Sequence, residues 1–156
     1  MAAYDPSWEV DESDWWWIEM YSKHEGTADD DTIYGSPGHN VIIGGLGDDH
    51  LYGTMHYDFL YGGPGNDSLD AGLSGGLLRG GFGNDTLVGN QTSDSLSGGS
   101  GNDVILGANG RDIIDGGNGD DYIDAGRKAG GRDSFLSGGH GNDTIFGGRK
   151  LQRHRR

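Results

Sequence analysis

The sequence contains no cysteine and only three prolines, and its 32% apolar content falls well short of the roughly 45–50% of an ordinary globular domain. Without cysteine there is neither a disulfide framework nor a thiolate metal site. Positive charge is also scarce: 11 Lys and Arg face 25 Asp and Glu, a net charge of −14. That balance argues against nucleic acid as the main partner and in favour of cations. No stretch approaches the roughly 18 apolar residues of a membrane span, so membrane insertion is not expected. The opening Met-Ala-Ala-Tyr-Asp-Pro-Ser-Trp-Glu-Val has neither a basic region nor an apolar run, so a cleavable signal peptide is not supported. Glutamate is confined to Glu9, Glu12, Glu19 and Glu25, and tryptophan to Trp8, Trp15, Trp16 and Trp17. From residue 26 onward every acidic residue is Asp, which places a boundary there.

Glycine is abundant, with 33 residues, and it is spaced regularly. An Ile or Leu recurs at 33, 42, 51, 60, 69, 78, 87, 96, 105, 114 and 123, then at 136 and 145. The steps are nine residues, apart from one of thirteen. Ahead of these residues stand Gly-Asp-Asp-His-Leu (47–51), Gly-Asn-Asp-Ser-Leu (65–69), Gly-Asn-Asp-Thr-Leu (83–87), Gly-Asn-Asp-Val-Ile (101–105), Gly-Asp-Asp-Tyr-Ile (119–123) and Gly-Asn-Asp-Thr-Ile (141–145). Each unit reads GGxGxDxUx, with U apolar.

This pattern resembles the calcium-binding nonapeptide repeats of the repeats-in-toxin (RTX) family. The resemblance implies an all-β fold, a right-handed parallel β-roll in which six residues make a loop, three make a strand, and 18 complete a turn. It divides the chain into an acidic, Trp-rich cap or docking segment (1–25), the roll (26–148) and a basic tail (149–156). Loops 18 residues apart then stack in two columns. The first column begins with a weaker member at Gly26, continues through Gly44, Gly62, Gly80, Gly98 and Gly116, and ends at Gly138, after four extra residues near Arg127-Lys128-Ala129-Gly130. The second begins at Gly35, Gly53, Ala71, Gly89, Gly107 and Ala125 and is degenerate.

Calcium takes six to eight oxygens from carboxylates and carbonyls, and glycine permits the backbone conformations that turn carbonyls toward one point. The expected ligands are Asp31, Asp49, Asp67, Asp85, Asp103, Asp121 and Asp143. They are joined by the carbonyls of Gly45, Gly47, Gly63, Gly65, Gly81, Gly83, Gly99, Gly101, Gly117, Gly119, Gly139 and Gly141. About five to six Ca²⁺ would lie between successive loops, and the Asp31/Asp49 gap is the doubtful one because Asp29 stands where glycine is expected. In the second column, Asp58, Asp94 and Asp112 are expected to be solvated turn residues, with Asp94 and Asp112 the candidates for a weak second-side site. Folding and calcium binding are expected to be one event.

Outward positions on the second-column strands carry Val41, Ile43, Phe59, Tyr61 and Leu77, an apolar patch that the tryptophans would cover or a partner protein would bind. The Gly72-Leu73-Ser74-Gly75-Gly76 match to a serine-hydrolase motif falls inside a repeat and lacks the strand-to-helix elbow that motif requires. No catalytic residues are expected, and the chain is not expected to be an enzyme. The function expected is a rigid calcium-binding structural or interaction module in a calcium-rich exterior, extracellular, on a cell surface or on a virion. Alternatives are a subunit of a surface-layer, adhesin or virion assembly docking through the N-terminal segment, and an accessory module of a secreted polysaccharide-modifying enzyme, protease or lipase.

Overall fold

A computed structural model describes residues 21–126 and 134–147. All regular elements among the described residues are strands, alternating between two parallel sheets. One sheet contains Ser22–Glu25 (β1), Asn40–Ile43 (β3), Asp58–Pro64 (β5), Gly76–Phe82 (β7), Ser95–Ser100 (β9), Ile113–Asn118 (β11) and Phe135–His140 (β13). The other contains Thr32–Tyr34 (β2), His50–Tyr52 (β4), Ser68–Asp70 (β6), Thr86–Val88 (β8), Val104–Leu106 (β10), Tyr122–Asp124 (β12) and Thr144–Phe146 (β14). Neighbours within a sheet are two strands apart in sequence, so the chain coils as a solenoid and each turn lies on the one before it.

The 18-residue turn follows from register. Leu51 pairs with Leu69, Leu69 with Leu87, Leu87 with Ile105 and Ile105 with Ile123, so the inward row is a stack of equivalent branched side chains. The opposite sheet supplies Ile42, Leu60, Leu78, Leu96 and Ile114, and all these residues are buried. Ile33 and Leu136 pack on the core from its two ends, while Ile145 on the last strand is exposed. A core this narrow leaves much of the ordering to the loops.

The extra four residues lie outside the described residues, but the pairing across them is intact. Ile114 pairs with Leu136 and Gly117 with Gly139, at a spacing of 22 instead of 18.

The roll also starts earlier than the composition boundary implies. Ser22–Glu25 is paired with Asn40–Ile43, and His24 stands in register with Ile42, where later turns carry Ile or Leu. Ser-Lys-His-Glu has no apolar residue to announce a strand. Its His24 Nε2 instead lies 3.1 Å from Asn40 Oδ1.

Candidate metal centres

The loops that join odd strands to even strands carry the complete motifs. In residues 80–85, Gly81 and Gly83 have φ of +125° and +122°, a region that L side chains rarely adopt. A Cβ on Gly83 would also collide with the Gly65 carbonyl one turn back. The twelve glycines at motif positions 2 and 4 all share this conformation, with φ between +94° and +148°. At position 4, the Gly47, Gly65, Gly83, Gly101 and Gly119 amides donate to the position-3 carbonyls of the next turn. Those bonds use the amides of these glycines and leave their carbonyls out.

Side chains at positions 5 and 6 extend the stacking in opposite directions. At position 5, Asn66 Oδ1 accepts from the Asn84 amide at 2.9 Å and Asn84 Oδ1 from the Asn102 amide at 2.7 Å, each reaching one turn forward. These asparagines shape the loop. At position 6, Asp85 Oδ1 accepts from the Asp67 amide and Asp103 Oδ1 from the Asp85 amide, both at 2.8 Å and both one turn back. The ladder runs from the Asp31 amide to Asp143, with Asp49, Asp67, Asp121 and Asp143 as further acceptors.

Only one carboxylate oxygen is used in this way. The Oδ2 atoms of Asp49, Asp67, Asp85, Asp94, Asp103, Asp112 and Asp121 are buried without a hydrogen-bond partner. An unpaired buried charge is costly, and the protonation equilibria reflect it. Burial pushes the Asp85 and Asp94 carboxyls up to about 7, and Asp67, Asp103 and Asp112 to about 6. Asp49 and Asp121 are raised for the same reason, with carboxylates on adjacent turns adding to the effect.

These donors fit a hard divalent cation. Such an ion takes carboxylate and carbonyl oxygens and supplies the positive charge that the stacked carboxylates lack. Among the described residues no cluster of three or more His, Cys, Asp or Glu side chains gathers in one place. An ion here therefore depends on backbone carbonyls as much as on Asp.

Comparison with protein families agrees with this geometry. A model of the RTX calcium-binding nonapeptide repeat matches residues 25–54, 57–76, 79–114, 97–127 and 128–149. The chain belongs to the RTX family. Its repeats form a calcium-binding β-roll. No curated protein matches the chain.

The second column of this RTX roll corrects the expectation of solvated turns. Asp58, Asp94 and Asp112 are 0%, 4% and 0% exposed, as buried as the first-column aspartates. The two columns stack alike, so a position-6 side chain points between turns on either side. Gly76 donates to Asp94 Oδ1 at 2.7 Å, and Asp94 to Asp112 Oδ1 at 3.1 Å. Asp94 and Asp112 thus repeat the first-column arrangement, including the orphaned Oδ2. Their loops even keep the left-handed residue at position 2, where Asn90 has φ +74° and Ala108 φ +63°. Asp58 is different, because both of its oxygens are bonded: Asn40 donates to Oδ1 at 2.7 Å and Thr54 to Oδ2 at 2.6 Å.

The end members of the first column also differ. Asp31 Oδ2 accepts from the Thr27 amide at 2.6 Å, and Asp143 is half-buried on the last turn. The signal that separates bonded from orphaned carboxylates is the residue at position 2, where Thr27 and Thr54 stand in place of glycine.

The outward residues lie side by side in one sheet, with Val41 paired to Phe59, Ile43 to Tyr61 and Phe59 to Leu77. Val41 is only 4% exposed, and Ile43, Phe59, Tyr61 and Leu77 are half-buried. Tyr21 packs edge-on against Phe59 with centroids 5.4 Å apart, so the chain enters the roll over this face. Trp8, Trp15, Trp16 and Trp17 lie outside the described residues.

Proposed function

We propose that this chain is a non-enzymatic RTX module whose order depends on calcium held between its turns, acting outside the cell as a stiff structural or interaction element. The observation that carries the reading is the row of buried Oδ2 atoms without partners, repeated at the register of the turns. Five first-column gaps have such an oxygen on their N-terminal side: Asp49/Asp67, Asp67/Asp85, Asp85/Asp103, Asp103/Asp121 and Asp121/Asp143. Asp94/Asp112 supplies a further site on the second side. The Asp31/Asp49 gap is the weakest, because Thr27 already holds Asp31 Oδ2.

An exterior location suits this chemistry, since RTX repeat proteins are typically secreted and extracellular modules often bind calcium at roughly 10⁻⁴–10⁻³ M. The Tyr21 contact favours a second element of the reading, in which the aromatic N-terminal segment covers the Val41/Phe59 face or docks a partner protein there.

Calorimetric titration and far-UV circular dichroism in EDTA and in calcium test the proposal. Binding of about five to six ions together with a gain of strand signal is expected. A strand spectrum as strong in EDTA as in calcium refutes coupled ordering.

A further inference from the structure

The loops fall into two classes, and the classes are separated along the chain. Four loops precede β5: those ending at Asp31, Asn40, Asp49 and Asp58. Three of them open with Ser or Thr at position 2, and each of those three satisfies its own position-6 side chain. Thr27 donates to Asp31 Oδ2 through its amide at 2.6 Å and its hydroxyl at 2.9 Å. Thr54 does the same for Asp58 Oδ2, at 2.6 and 2.9 Å. The Ser36 amide donates to Asn40 Oδ1 at 3.0 Å, and the Asn40 side-chain amide donates to Asp58 Oδ1 at 2.8 Å. Asn40 also brings no charge that needs compensation. In this group only Asp49 keeps an orphaned oxygen.

From Gly62 to Asp121 the balance reverses. Asp67, Asp85, Asp94, Asp103, Asp112 and Asp121 all have an unpartnered Oδ2, and the remaining loop, ending at Gly76, has no side chain to satisfy. In the open loops the position-2 residue is left-handed. In the Gly44 loop its amide points elsewhere, since Gly45 donates to the Gly62 carbonyl.

The early turns also carry aromatic contacts, of which the later turns have one, between Tyr122 and Phe146. Tyr21 meets His39 at 5.3 Å and Phe59 at 5.4 Å, Tyr57 meets Phe59 at 5.6 Å, and Tyr34 stacks on Tyr52 at 4.8 Å on the other sheet.

We propose that the turns from Ser22 to about Tyr61, latched by Thr27, Ser36 and Thr54, are a metal-independent nucleus onto which the later turns order when calcium arrives. The proposal rests on the reading that open carboxylates need calcium, and it adds that three loops have replaced the ion with a hydroxyl and an amide. The roll is then a staged device, with one end preformed and the rest conditional on the ion.

Hydrogen exchange on the full chain in EDTA, resolved by residue, tests this. The Thr27, Asn40 and Thr54 amides should exchange at least tenfold more slowly than those of Asp67, Asp85 and Asp103, and calcium should protect both sets. The triple variant Thr27→Gly, Ser36→Gly, Thr54→Gly should lose the early protection in EDTA and keep protection in calcium. Equal, fast exchange of both sets in EDTA overturns the nucleus but leaves calcium-coupled ordering standing. Slow exchange of both sets in EDTA overturns calcium-coupled ordering itself. Early protection that survives the triple substitution overturns the latch. Should the variant fail to order in calcium, the wild-type exchange pattern alone decides.

Discussion

A carboxylate with one oxygen bonded to an amide and the other facing only its own loop sits between two states: protonated, or paired with a cation. Asp85 shows this most clearly, being 1% exposed, with the Asp67 amide on Oδ1 and no partner on Oδ2. Asp85→Asn keeps an acceptor for that amide and removes the charge. The calcium concentration at the midpoint of ordering should then rise on the order of tenfold, equivalent to about 1.4 kcal/mol, as read by a dichroism titration. An unchanged midpoint would remove Asp85 from the site.

The same residues set a pH dependence. Their folded carboxyls titrate at about 6 to 7, against the ordinary 3.8, so the folded chain binds more protons than the unfolded one between those values. The stability they contribute without metal is present below about pH 4 and is lost as pH rises through 6 to 7. In EDTA, strand signal should therefore be greater at pH 4.5 than at pH 7.5. In calcium, protons compete for the same oxygens, so the midpoint should move to higher calcium as pH falls from 7.5 to 5.5. Dichroism at fixed ionic strength checks both directions.

At the scale of the element, the strands and one loop column were legible because their signals are periodic. The inward Ile and Leu define every strand from Thr32–Tyr34 to Thr144–Phe146, and the GGxGxD units place Asp49 through Asp121 in one buried row. Ser22–Glu25 was missed because His24 replaces the apolar residue on which the period depends. The burial of Asp58, Asp94 and Asp112 was missed because their loops depart from the GGxGxD unit, with Thr54, Asn90 and Ala108 in place of the second glycine. What positions the carboxylate, however, is the amide of the preceding turn, which belongs to a residue 18 positions away.

Ala108 carries the mark of this geometry, since an L residue at φ +63° is strained by roughly 1–2 kcal/mol relative to glycine. Ala108→Gly should raise the calcium-loaded thermal midpoint, by up to about 1 kcal/mol in stability once the greater freedom of the unfolded chain is subtracted. Gly101→Ala, which puts a Cβ against the Gly83 carbonyl at φ +128°, should lower it. Calorimetry on the loaded proteins compares the two.

For the whole molecule, the charge of −14 and the thin core act together. On the proposed reading, the stacked carboxylates oppose the packing that brings them together unless a counter-charge is present. Small-angle scattering should therefore show a large contraction on adding calcium. An unfolded chain of this length has a radius of gyration of roughly 40 Å and a compact one roughly 15 Å. A solenoid lies nearer the second value, and a preformed N-terminal end would keep the EDTA value below the first. Magnesium, which demands a smaller octahedral site and gives up water reluctantly, should not substitute at equal concentration.

The pairing of Gly117 with Gly139 shows that one side of the coil tolerates a longer excursion between successive rungs without losing alignment. Chain length between Gly126 and Ser134 is thus decoupled from the spacing of the cation column opposite. That stretch is a natural cloning point: a foreign epitope grafted there should be displayed without disturbing the alignment of the aspartate column opposite.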